Sequence, residues 1–119
     1  LMVSRGRLHV VAGRLSRKWA SVLLTLVSFQ VPAATTVEVS IEKYVFTPPE
    51  INIRVGDTVK WTNREKRTSH SVVFPQENGL ESERMFPDES WQRQFTAPGR
   101  YPYSCGPHPE MKGLILVGE

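Results

Sequence analysis

Residues 36–61 read Thr-Val-Glu-Val-Ser-Ile-Glu-Lys-Tyr-Val-Phe-Thr-Pro-Pro-Glu-Ile-Asn-Ile-Arg-Val-Gly-Asp-Thr-Val-Lys-Trp. Val37, Val39 and Ile41 alternate with polar neighbours, which is the period of a strand with one buried face. Thr47-Pro48-Pro49 ends that pattern, because successive prolines supply no ladder donors. Ile51, Ile53 and Val55 resume it, Gly56-Asp57 turns the chain, and Val59 and Trp61 face inward on a third strand.

The same grammar runs on toward the C-terminus. Asn63 to Ser69 is polar and reads as a loop, and His70-Ser-Val-Val-Phe74 as a more buried strand. Pro75 to Glu89 is a long acidic excursion without a clear period. Trp91 and Phe95 mark another strand, stopped by Pro98-Gly99. Tyr101, Tyr103 and Cys105 share one face of the next, and Lys112 to Val117 is the last. No convincing amphipathic helix interrupts the series. About seven to eight short strands in one small domain predict an all-β protein, an antiparallel Greek-key β-sandwich. Trp61, Trp91, Phe74 and Phe95 are expected in its core.

Upstream, residues 1–34 hold Arg5, Arg7, Arg14, Arg17 and Lys18 and no acid. The apolar run from Trp19 to Phe29 follows, then Gln-Val-Pro-Ala-Ala, with Val31 and Ala33 as small side chains before a cleavage point after Ala33 or Ala34. This is the layout of a signal peptide, and eleven residues fall short of the ~20 a spanning helix needs. The expected organisation is therefore a signal peptide over 1–34 and one domain over 35–119, exported to the periplasm with no membrane span after cleavage. The chain carries fifteen Lys and Arg against twelve acids, net +3, but five of those bases sit in the leader. The remaining ten leave the domain at net −2, which removes the reason to expect nucleic acid.

The chemistry lies in Tyr103-Ser-Cys105-Gly-Pro-His108-Pro-Glu-Met111, where a thiolate, an imidazole and a thioether recur every third residue. A lone Cys at a strand end is ordinarily a small buried hydrophobe, and a lone His or Met is ordinarily surface or core. Here, though, the chain's one cysteine, both histidines of the domain and a methionine fall where a single tetrad needs them. The donors are soft or borderline and suit copper rather than magnesium or calcium. Two nitrogens and a thiolate with a weak methionine make a blue-copper electron-transfer site, so His70, Cys105, His108 and Met111 are the candidate metal ligands. A strand beginning at His70 and antiparallel to the one ending at Cys105 would bring them to one pole.

A resemblance follows from these motifs. Phe46-Thr-Pro, Val55-Gly-Asp-Thr-Val-Lys-Trp-Thr-Asn63, Ser69-His-Ser-Val-Val-Phe74, Ala97-Pro-Gly-Arg-Tyr101 and Cys105-Gly-Pro-His-Pro-Glu-Met-Lys-Gly113 resemble the plastocyanin–azurin group of cupredoxins over residues 36–118. The two-residue gap between His108 and Met111 is similar to that of amicyanin. The resemblance implies a small soluble monomer with one copper ion cycling between Cu(I) and Cu(II). It also implies transient redox partners, such as a cytochrome c or a periplasmic dehydrogenase or oxidase. It is not expected to be an enzyme: a thiol enzyme using Cys105 would leave Met111 without a role. The alternative that stays open is copper trafficking or storage through the same ligands. One departure is Ser71, where the family commonly has Asn; its hydroxyl can still bridge to the ligand loop. The backbone N–H of Ser71 is an expected donor to the Cys105 sulfur, whereas Pro107 has no N–H to give. Leu80, Met85, Phe86, Pro107 and Pro109 are expected to form an apolar docking patch around His108.

Overall fold

Alternation along the chain becomes nine strands among the described residues, which are 6, 13–14, 18–30 and 32–119 of a computed structural model. The strands are β1 (Thr36–Glu42), β2 (Val45–Thr47), β3 (Glu50–Arg54), β4 (Thr58–Asn63), β5 (Val73–Phe74), β6 (Leu80–Glu81), β7 (Ser90–Gln94), β8 (Gly99–Ser104) and β9 (Lys112–Gly118). They form two sheets, β2-β1-β4-β7 and β3-β9-β8-β5-β6. The chain divides into two compact units, Leu1–Gln30 and Val31–Glu119, and all nine strands belong to the second. In the first, residues 18–30 carry neither helix nor strand, and among the described residues no helix is long and apolar enough to cross a membrane. The leader's Arg5, Arg7 and Arg17, and Val31 beside the expected cleavage point, lie outside the described residues.

The all-β sandwich is as expected, but its sheets are mixed rather than purely antiparallel. β1 runs parallel to β4, and β3 parallel to β9. Alternating hydrophobicity tells which face of a strand is buried and carries no information on the direction of its neighbour. Val39, Ile41, Val59 and Trp61 from one sheet meet Phe74, Tyr103 and Ile115 from the other, all buried. Each such large apolar side chain withdrawn from water contributes roughly 1.5–3 kcal/mol. Trp91 departs from the core expectation, for it is half-buried and lies 5.5 Å from the Trp61 ring at the edge of the cluster. Arg93 closes the far side. Its guanidinium stands 4.5 Å over Phe74 and 4.6 Å over Phe95 while binding both oxygens of Glu77.

Three local features escaped the pattern. Lys43-Tyr44 forms a two-residue hairpin between β1 and β2, with both residues at left-handed φ of 55° and 59°. Such a turn favours glycine or asparagine, and each other residue placed there costs of order 1–3 kcal/mol. The acidic excursion is also more ordered than its composition implies, containing a 3-10 turn at Pro75–Glu77 and strand β6. Finally, His70 lies outside β5; it pairs as an isolated bridge with Met85.

Candidate metal centre

β8 ends at Ser104 and β9 begins at Lys112, so Cys105 to Met111 is the loop that joins two antiparallel strands at one pole. Two backbone bonds close it: Met111 N–H donates to His108 O (2.9 Å) and Cys105 N–H to Met111 O (3.1 Å). β5 pairs antiparallel with β8 through Val73 and Ser104, which sets His70 beyond the end of β8 beside Cys105. Sheet geometry therefore brings the fourth donor to the same pole, by the route its sequence position implied.

The surrounding loop is pinned by a buried amide. Asn63 donates through Nδ2 to Thr68 O (2.7 Å) and Met85 O (3.0 Å), and its Oδ1 accepts the Glu65 N–H (2.9 Å). Every hydrogen-bonding capacity that matters here is used, so the 63–69 loop and the Met85 segment hold His70 between them.

Three donor atoms converge. Cys105 Sγ is 3.5 Å from His70 Nδ1 and 3.6 Å from His108 Nδ1, and the two nitrogens are 3.2 Å apart. The point equidistant from all three lies about 2.0 Å from each, the length of a bond from imidazole to a first-row metal. The two facing imidazole nitrogens can share one proton between them, and the same pair of lone pairs, with the sulfur beside them, is the donor set a single cation accepts. His70 and Cys105 are fully buried, Met111 is buried in the same cluster, and His108 is half-buried. Burial, and after it the neighbouring His108, hold the His70 imidazole below the usual histidine range against the opposing pull of Glu65. The neutral ring that results is the form that binds metals.

The bridge foreseen from Ser71 is present. Its fully buried hydroxyl accepts the Gly106 N–H at 3.0 Å and donates to Glu81 Oε1 at 2.8 Å. Gly106 is closely packed there: a Cβ would overlap the Glu81 carboxylate and stand 2.6 Å from Ser71 Oγ, so both side chains would have to shift. Of the residues expected in an apolar patch, Leu80, Phe86, Pro107 and Pro109 are exposed, whereas Met85 is buried and bridged to His70. Sequence reasoning missed Tyr44 and Glu65. Tyr44 sets its ring edgewise to His70 and His108, with centroids 5.6 and 4.8 Å away. Glu65 Oε1 lies 3.5 Å from His70 Nε2, a nitrogen that makes no hydrogen bond. Neither residue carries a sequence signal, because both act across the fold.

A β-sandwich holding one cysteine sulfur and two imidazoles at a single pole has the donor set of a mononuclear copper protein, and comparison with known proteins makes this specific. A model of the copper binding proteins of the plastocyanin/azurin family matches residues 33–118, and the chain belongs to that family. It is 40% identical over 92 residues to amicyanin-alpha of Methylorubrum extorquens, covering 74% of this chain and 76% of the relative. Similarity to amicyanin of Paracoccus versutus is 35% over 108 residues, or 83% and 81% of the two chains. Among solved structures, the Cu(I) form of a methionine-to-alanine amicyanin mutant superposes with a TM-score of 0.67 at 36% identity, covering 72% of this chain and 85% of that one. The cofactor of the protein is one copper ion.

Proposed function

We propose that the protein carries single electrons between redox partners through a type 1 copper centre held by His70 Nδ1, Cys105 Sγ, His108 Nδ1 and, more weakly, Met111. The observation that carries this reading is the triangle of one sulfur and two nitrogens, with sides of 3.2–3.6 Å, on a rigid sandwich. When bound, the ion supplies a one-electron couple between Cu(II) and Cu(I). The chain's own work is to hold the donors still. His70 is held by its backbone bridge to Met85 and Cys105 by its N–H bond to Met111 O directly after β8, so neither must move when the charge changes. His108, half-buried on the loop, presents the ring edge at which electrons cross. No bond of a substrate is made or broken, so the protein is not an enzyme.

Residues 1–34 act as a signal peptide that delivers the domain of 35–119 to the periplasm, a reading supported by the basic stretch, the short apolar run and Ala33-Ala34. The partners are transient: a cytochrome c, or a periplasmic dehydrogenase or oxidase, docking where Leu80, Phe86, Pro107 and Pro109 expose apolar surface. Carriage of electrons is separated from delivery of copper by mixing the reduced holoprotein with an oxidised c-type cytochrome and, separately, with a copper(I) chelator. Fast oxidation with the metal retained is expected. Slow electron transfer with ready loss of copper would replace this reading with trafficking.

A further inference from the structure

Tyr44 has no place among the ligands, and its conformation is costly. It sits at left-handed φ (59°) in a hairpin position that glycine would fill without strain. Its ring is about half exposed (48%), yet it is tied down: Tyr44 N–H donates to Glu65 Oε1 at 2.8 Å, and its hydroxyl is 3.2 Å from Thr68 Oγ1. Unfavourable backbone held in place by specific bonds marks a position kept for something other than the turn. What the side chain reaches is the imidazole pair. It stands edgewise to His108 at 4.8 Å and 85°, and to His70 at 5.6 Å and 83°.

We propose that Tyr44 is a positioning residue of the metal centre: its ring holds the His108 imidazole in the orientation that aims Nδ1 at Cys105, and covers the imidazole pair against water. This rests on the copper reading above. His70 needs little help, for it is fully buried and bracketed by its bridge to Met85. His108 is different, being half-buried on a loop, and rotation of its ring would carry Nδ1 away from Sγ. The aromatic neighbours of that ring are His70, tilted at 4.9 Å, and Tyr44. One edgewise aromatic contact shifts the ratio of held to rotated rings about two- to tenfold. The same ring keeps water from this side of the donors, and a drier site favours the less charged, reduced state of the metal.

The test is Tyr44→Gly, which deletes the ring and relieves the backbone, so folding is not at risk. Tyr44→Phe is the conservative companion, losing only the Thr68 contact. In the copper-free protein, NMR relaxation of the His108 ring should show greater mobility in Tyr44→Gly and wild-type behaviour in Tyr44→Phe. In the copper(II) protein, Tyr44→Gly should raise water-proton relaxation and lower the reduction potential, and Tyr44→Phe should restore both. A residue that merely built the turn would leave all three unchanged while glycine increased stability, and that result would overturn the proposal. A wild-type protein lacking a blue copper(II) band would overturn the copper reading instead, independently of the ring mobility measured without metal.

Discussion

Ser71→Ala should loosen the ligand loop and destabilise the domain by an amount the structure allows to be worked out. The hydroxyl makes two hydrogen bonds, one from Gly106 N–H (3.0 Å) and one to the Glu81 carboxylate (2.8 Å). Gly106 and Glu81 are exposed, so water recovers part of what each loses, and about 1 kcal/mol per bond is the appropriate figure. The total of about 2 kcal/mol converts to a fall in Tm of about 8–16 °C for a domain of this size. Thermal unfolding of the copper-free domain, followed by circular dichroism, measures it without metal linkage. Gly106→Ala attacks the same bridge from the other side, since its Cβ would press on Glu81 and Ser71. The double variant should therefore lose clearly less than the sum of the single losses. A Tm for Ser71→Ala within about 2 °C of wild type, or additive losses, would refute the bridge.

Other expectations follow from the same structure. Met111→Leu should retain copper and raise the reduction potential, whereas Met111→Gln should lower it; loss of all copper in Met111→Leu would show that the sulfur is a principal ligand. Burial pushes the Tyr103 phenol up to about 12 from the ordinary 10.0, so the folded state favours the neutral form. Stability is thus fully present below pH 10 and falls between pH 10 and about 12, by about 1.4 kcal/mol per pH unit. Denaturant titrations across that range should show the decline in wild type and its absence in Tyr103→Phe. Pro107→Ala supplies a backbone N–H two residues after Cys105 and, if that N–H reaches the sulfur, should raise the potential measured by voltammetry, with the blue spectrum intact; an unchanged or lower value would contradict this.

Much of this molecule was legible residue by residue. Val37, Val39 and Ile41 announce a strand because every second side chain must be apolar, and Cys105, His108 and Met111 announce a site because their spacing fits one loop. His70 could be added because antiparallel pairing of the strand that follows it with the strand that precedes Cys105 leaves it no other pole. Pairing direction was not legible, since a strand's own alternation is identical whether its neighbour runs with it or against it. Trp91 read as core and is half-buried, because β7 lies at the sheet edge. Tyr44 was the least visible. Its role depends on a left-handed turn that Lys-Tyr does not advertise, and on a Glu65 carboxylate twenty-one residues away.

Whether these donors form a copper site is decided by a visible spectrum of the purified protein after addition of copper(II). An intense blue complex is expected, with a strong thiolate-to-copper band toward the red end of the visible, that disappears with the bound metal in Cys105→Ser. A colourless wild-type copper(II) complex, or one whose colour survives the loss of the Cys105 sulfur, would contradict it.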